Sequence, residues 1–478
     1  PTLVFVIGFT DSVHLVIDMR RKRAGGASRL EAVRHAIRDV GPACALTSLT
    51  TMIGFGSLVV TELEVVRRFG IDCACGTFLS FLAVITVVPL LASTPLGDLL
   101  LAKKATTSNR DGSKSEKRKP RLAFAWMLKY RWTTTALSLA ISVGLLVLSL
   151  NLRADIRWME LLPDTSETKR AWLHCDQKLG GTLLTYVVVD WPSHYDVGSH
   201  DVLRALEDVH GVLNEEPMLR SPYSVLNLLL SFSRSNTVTK SHVQQLDHVP
   251  SHVRSRLIRS DLRRAVVTAY VPDAGAADLL PLFSSLEKRL AILEKEHPGF
   301  RMHLTGTSVV AVRNVHRIIG DLGKSLGLAT LVIFVVMSLA LRSIRLGLIS
   351  AIPNAFPLAF AAGLLVAMGE PLRLASAMTF SVCLGIAVDD TIHFLTRFRG
   401  EFRAGADVHT SIVRTIRTVG VAMLVTSVTL LGGFSVMMFS QMPSIQSFSQ
   451  LAGVAILAAL FGDLVMLPAL LACFAAER

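Results

Sequence analysis

Three titratable residues lie where the chain is otherwise apolar. The stretch Phe380–Phe398, FSVCLGIAVDDTIHFLTRF, belongs to a hydrophobic run that starts near Leu372 and is long enough to cross a bilayer, yet it holds Asp389, Asp390 and His393. One charged side chain inside a bilayer costs at least ~2.5–3.5 kcal/mol. Three in one span therefore require a protein interior or a water cavity to receive them. On a helix, Asp389 and Asp390 both lie one turn before His393 and share its face. Such a cluster reads as an ion or proton pathway, and its bland counterpart is a buried polar knot that locks helices together.

The cluster occurs twice. Near the N-terminus, Asp11-Ser-Val-His14 repeats Asp390-Thr-Ile-His393 at an offset of 379, and the offset continues without a gap. Thr47-Ser48 matches Thr426-Ser427, and Gly54-Phe55 matches Gly433-Phe434. From Asp11 to Phe55 there are 15 identities in 45 positions, and Pro89 still matches Pro468. An ungapped match of this kind means two homologous halves, a plan common among secondary transporters.

The elements that position these groups are expected to be membrane helices. The chain has 478 residues, is 51% hydrophobic and has a mean hydropathy of +0.48. Its net charge of +12 is not the footprint of nucleic-acid binding, because the basic residues collect beside hydrophobic runs, as positive-inside loops do. Of Cys44, Cys73, Cys75, Cys175, Cys383 and Cys473, only Cys175 falls in a long polar stretch, so no disulfide framework is expected. Nine spans are expected, at Leu3–Ile17, Pro42–Val60, Phe69–Ala92, Trp132–Leu152, Leu326–Leu341, Leu346–Met368, Leu372–Phe394, Val419–Phe439 and Phe448–Phe474. Ser28–Val40 reads as a separate basic amphipathic helix on the inner membrane surface, capped by Ser28. Residues 397–417 read as a second basic loop. Pro353-Asn354 and Pro357 are expected to interrupt their helix and free carbonyls for a cavity.

Residues 101–121, with Lys103, Lys104, Arg110 and Lys114 among them, read as a flexible cytoplasmic linker. Residues 153–318 lack a membrane-length apolar run. Strands at Leu183–Trp191, Arg264–Val271 and Phe300–Leu304, with helices at Asp201–Asn214 and Ala276–Glu296, suit a split-βαβ, ferredoxin-like α+β domain. The expected domains are thus 1–98, 99–131, 132–152, 153–318 and 319–478. The start on Pro1, inside a hydrophobic segment and without a Met, reads as a chain whose upstream part is missing.

GIAVDDTIHFLTRF, with its GxxxD from Gly385 to Asp389, resembles the signature of the RND superfamily in its MMPL, Patched-like and sterol-sensing-domain branch. Asp-x-x-His, the Thr-Ser followed by Gly-Phe, the run GDLVMLPALL around Asp463, and Trp158-Met-Glu160-Leu-Leu-Pro163 are also similar to that branch. By that template the nine spans are spans four to twelve, and residues 153–318 are one external porter domain. The resemblance implies export of lipids or other hydrophobic molecules, driven by the proton-motive force and needing no cofactor and no metal. It also implies a multi-pass protein of the cell membrane, with residues 153–318 outside. Membrane lipids and a hydrophobic substrate are the expected partners, with a homo-oligomer (dimer or trimer) or accessory export subunits.

Asp11, Asp389 and Asp390 would take and release the proton and His14 and His393 would relay it. Two carboxylates side by side in a low dielectric do not both ionise cheaply. Thr47, Ser48, Thr426 and Ser427 are candidate path-lining residues or packing groups. Asp463, opposite Val84 of the first half, is a helix-packing hydrogen-bond site or an accessory relay. The first half departs from the signature, with Val6 at the glycine position and Thr10 opposite Asp389. The alternative is a lipid- or sterol-sensing or scaffolding membrane protein of the same fold. An intramembrane enzyme is disfavoured, because no HExxH or GxSxG pattern is present.

Overall fold

The computed structural model describes residues 2–95, 97, 122–155, 157–232 and 244–475. The basic stretch 101–121 lies outside them. Two compact units form: Pro1–Leu152 with Ile318–Ser440 and Ser444–Arg478, and Arg153–Arg317 with Gln441–Pro443.

In the first unit, α1 (Thr2–Ala24), α2 (Arg29–Gly56) and α3 (Glu64–Ser93) are followed by α4 (Leu122–Lys129) and α5 (Arg131–Ser149). After the second unit come α11 (Thr307–Ala340), α12 (Ile344–Ala367), α13 (Leu374–Arg403), α14 (Val408–Met437), α15 (Pro443–Phe461) and α16 (Leu467–Phe474). A π-turn over Gly462–Met466 joins the last two. Among the described residues, eight helices, counting Pro443–Phe474 as one, are long and apolar enough to cross a membrane. The remaining expected span, α1, carries Asp11, Asp18 and a basic last turn within its 23 residues and is not among the eight. This is a polytopic helical membrane protein.

The repeat is visible in the helix ends. α1 and α13 end at positions 379 apart, and so do the starts of α2 and α14 and of α3 and α15. The turns match as well. Gly26 and Gly405 both take left-handed backbone, at φ +95° and +93°, as a glycine after a helix end does. The Ser28 hydroxyl accepts from the Glu31 N–H, and the Asp407 carboxylate from the Thr410 N–H, so each turn closes on an N-cap.

Three local expectations are corrected. The amphipathic segment and the second span form one helix, α2, with Pro42 inside it. A proline removes one N–H, and packing against α1, α3 and α13 holds the helix through it. Most of residues 397–417 is helix rather than loop: α13 runs to Arg403 and α14 starts at Val408, leaving a four-residue turn. Pro353 and Pro357 lie within a continuous α12 and do not break it.

The second unit contains α6 (Glu167–Leu179), β1 (Leu183–Asp190), α7 (His200–Asn214), β2 (Arg220–Tyr223), α8 (Val225–Phe232), α9 (Ser251–Leu257), β3 (Ile258–Arg259), β4 (Arg264–Val271), α10 (Ala276–Glu296) and β5 (Arg301–Thr305). The sheet order is β2-β4-β1-β5, all pairings are antiparallel, and β3 adds to β4. This is the split-βαβ, ferredoxin-like order. Alternation decides the core. Val187, Val189, Val267, Ala269 and Val271 are buried, as are Val202, Leu206, Val209 and Leu213 of α7 and Leu279, Phe283, Leu286 and Leu290 of α10. The sequence reading missed β2, whose RSPY is short, polar and broken by Pro222, as suits an edge strand.

His210 of α7 is buried, with Nε2 2.9 Å from Ser224 Oγ. Burial holds this imidazole below its ordinary 6.5. The unfolded chain then binds the proton more readily. The stabilisation is full above pH 6.5 and declines as the pH falls through 6.5 towards the folded value. His210→Gln should therefore flatten the loss of α7 hydrogen-exchange protection between pH 7 and pH 5, after correction for intrinsic exchange. An unchanged slope would assign that pH dependence elsewhere.

Candidate functional site

α13 is the centre of the membrane unit. Within its central span stretch 89% of residues are buried, against 11% for α3, so α13 meets protein on every side while α3 is largely uncovered. α2, α12 and α14 pack against α13, and α1 packs against α2 and α14. The five titratable residues singled out in the repeat, Asp11, His14, Asp389, Asp390 and His393, come together where these helices meet.

Each carboxylate is held by hydroxyls from a neighbouring helix. Asp11 accepts from Thr47 at 3.1 Å and from Ser48 at 2.9 Å, both on α2. Asp390 accepts from Thr426 of α14 at 3.4 Å, and Ser427 is buried beside it. Asp389 accepts from Thr10 of α1 at 3.2 Å. Thr10, the residue that replaces a carboxylate in the first half, thus touches the carboxylate that distinguishes the second.

The three threonines share one feature. Each hydroxyl also lies near the carbonyl one turn back: Thr10 at 2.6 Å from Ile7 O, Thr47 at 2.9 Å from Cys44 O, and Thr426 at 2.9 Å from Met423 O. A hydroxyl has one hydrogen to donate. It serves the carboxylate when that group is charged. When the carboxyl is protonated, the hydroxyl turns to the carbonyl and accepts from the carboxyl instead.

The imidazoles of His14 and His393 stack across the two halves, with centroids 3.8 Å apart and planes at 3°. His14 Nε2 lies 3.8 Å from Asp390 Oδ1, and His393 Nε2 lies 3.6 Å from Asp389 Oδ1. These separations suit ion pairs and exceed hydrogen bonds. His14 Nε2, His393 Nε2 and Asp389 Oδ1 are buried and have no hydrogen-bond partner among the described residues.

From the histidines a polar vestibule of about 590 Å³ leads outward past Asp18, Arg38, Arg397 and Glu401, between the basic ends of α1 and α13 and the neighbouring parts of α2 and α14. Asp11, Cys44 and His393 each bring a ligand-capable atom within 4.8 Å of the others. Both oxygens of Asp11 also accept hydroxyl hydrogens.

Asp463 sits apart on the π-turn, 1% exposed. It accepts from the Thr391 hydroxyl, which also lies 2.8 Å from Asn354 Oδ1 on α12. Asn354, Thr391 and Cys44 escaped the sequence reading. The signal for the first two was an amide beside Pro353 in an apolar helix and a threonine completing the run Asp389-Asp390-Thr391.

Gly385 sets the helix spacing. A Cβ there would lie 3.2 Å from Thr51 Cα, and one on Gly54 would lie 3.3 Å from Ser381 O and 3.5 Å from Gly385 Cα. In the matching crossing of α1 with α14 the sizes differ: a Cβ on Gly433 would lie 2.6 Å from Val6 Cγ2. The valine at the signature's glycine position fills the room its partner glycine leaves.

The sequence profile of the MMPL family matches residues 12–136 and 241–478. MJ1562 of Methanocaldococcus jannaschii, which bears a membrane-protein name, is 22% identical over 338 residues, covering 67% of this chain and 85% of that one. A crystal structure of SecDF in its super-membrane-facing form superposes with a TM-score of 0.55 at 13% identity, over 99% of this chain. The likeness is one of fold, and the chain spans 54% of that SecDF chain.

Gly385→Val should force α13 and α2 apart and destabilise the membrane unit by ~1–3 kcal/mol, read as a lower unfolding midpoint in detergent. Gly385→Ala should cost less, because its neighbour need give only a few tenths of an ångström. Equal midpoints for wild type and Gly385→Val would show that the crossing is not tight.

Proposed function

Because the chain belongs to the MMPL family, we propose that it exports lipids or other hydrophobic molecules across or out of the cell membrane at the expense of a proton gradient. The observation that carries this reading is the convergence of Asp11, Asp389 and Asp390, drawn from both halves, with two stacked imidazoles in one buried cluster that opens into a polar vestibule. A polar knot serving only to lock helices would normally pair its buried groups, whereas His14 Nε2, His393 Nε2 and Asp389 Oδ1 have no hydrogen-bond partner among the described residues.

In this reading, a proton enters the cluster and neutralises one carboxylate. The facing threonine turns from that carboxylate to its own helix carbonyl, which alters a contact between helices of different partners. For Asp389 and Thr10 that contact joins the two halves directly. The histidine stack passes the proton on to the vestibule. The basic ends of α1 and α13 support a cytoplasmic vestibule side by the positive-inside rule, and with it residues 153–318 on the outer side. Neutral and charged forms of the cluster then favour different packings of the helices around α13, and export follows the alternation. The sterol-sensing-type reading of the halves rests on GIAVDDTIHFLTRF, the Thr-Ser and Gly-Phe pairs, GDLVMLPALL and Trp158–Pro163.

The test is reconstitution of the full chain in vesicles with an imposed pH gradient. Fluorescent lipids serve as cargo, and a pH-sensitive dye inside reads proton entry. Wild type should move lipid faster with the gradient than without it. Asp389→Asn with Asp390→Asn should abolish both the gradient-dependent component and the dye response while keeping the wild-type unfolding midpoint. Equal lipid movement and equal proton entry in both proteins would make the carboxylates structural and favour a sensing or scaffolding role.

A further inference from the structure

A second cavity, of about 460 Å³, lies between α2, the end of α11 and the end of α13. Its wall is apolar: Pro42, Leu46 and Leu49 of α2 face Leu341. Leu49 is 41% exposed, which is ordinary for a side chain that meets lipid. Its rim is not apolar. Arg399 and Arg403, four apart on α13, border it together, and Arg342, on the turn after α11, is a like-charged neighbour of Arg399.

These arginines lack compensation from the protein. Arg399 Nη1 donates to the Ala340 carbonyl at a long 3.4 Å. Among the described residues no carboxylate stands within ion-pair distance of Arg399 or Arg403. Their neighbour Arg397 differs, being paired with Glu401, which also takes Arg414 at 3.4 Å. Two guanidinium groups on one helix face, over an apolar slot and without an acid, call for an anion with an apolar tail.

Depth agrees. Arg399 is ten residues beyond Asp389, about 15 Å along a helix. That is half the ~30 Å hydrocarbon core, so carboxylates at the middle of the bilayer put Arg399 at the headgroup level. The arginines share their end of the membrane unit with the basic last turn of α1, on the side where anionic lipids draw basic residues.

We propose that this cavity holds an anionic phospholipid of the leaflet on the basic side. Its phosphate is gripped by Arg399 and Arg403, a geometry suited to two guanidinium forks, and the start of one acyl chain runs along Leu46 and Leu49. A zwitterionic lipid presents the same phosphate with a compensating cation and binds less well. Inorganic phosphate or glycerol phosphate lacks the chain that fills the slot. The site stands apart from the proton cluster and does not rest on the transport reading, since binding is measured without a gradient.

The experiment is native mass spectrometry of the full, delipidated chain in detergent. The probes are dioleoylphosphatidylglycerol, dioleoylphosphatidylcholine and glycerol 3-phosphate. Wild type should retain the glycerol lipid about thirtyfold better than the choline lipid, as two arginines near a headgroup imply, and should not retain glycerol 3-phosphate. Arg399→Ala with Arg403→Ala should lose the preference. Leu46→Trp, which keeps both arginines and fills the slot, should weaken retention of both lipids. Arg34→Ala, an exposed arginine on α2 outside the cavity, should change neither. The proposal fails if wild type does not discriminate between the two lipids, if Leu46→Trp binds as wild type does, or if Arg34→Ala weakens binding as much as the double change.

Discussion

Carboxylates carried inside an apolar bundle dominate this molecule. Water solvates a carboxylate far better than hydrocarbon does, so each buried one must find donors or lose its charge. The structure answers with hydroxyls, one or two per carboxylate, each delivered by a helix other than the one that carries the acid. Those hydroxyls reach only because the helix axes approach closely. At the neighbouring crossing of α2 with α13, Gly54 and Gly385 let two backbones meet without side chains between them. Packing, hydrogen bonding and charge are thus one problem at the centre of the unit.

The two halves solve it unequally. The second half offers two adjacent carboxylates and the first offers one, with Thr10 in place of the other. Thr10 does not merely fill the position: it donates to Asp389 and so supplies the larger charge of the opposite half with a partner. The histidines behave similarly. His14 faces Asp390 of the other half, whereas His393 faces Asp389 of its own helix. The cluster's members are therefore not equivalent across the repeat.

Much of this was legible in the sequence, because the repeat fixes a register. Once Asp11-x-x-His14 aligns with Asp390-x-x-His393, the helix ends, caps and turn glycines fall at one offset, and they do so in the structure. The ferredoxin-like sheet was legible through the β-branched and aromatic residues of β1 and β4, whose burial alternates in the structure. What escaped was set by tertiary contact. Pro42 looks like a boundary, yet packing carries the helix across it. β2 has no hydrophobic alternation, since an edge strand needs little. The Asn354–Thr391–Asp463 link joins residues from three separate helical segments, and no spacing within any one of them announces it.

The crossed contacts also bear on the history of the chain. A duplicated sequence is usually thought of as two copies free to drift at matching positions. Here Val6 is accommodated by Gly433 and Gly385 by Gly54, so each residue is constrained by a partner in the other copy rather than by its own counterpart. A bulkier residue at position 433 would need a smaller one at position 6, and the pair 54 and 385 would be indifferent to both. Epistasis should therefore run diagonally across the duplication, and chimaeras that exchange one half for a relative's would fail at these crossings even where each half is sound.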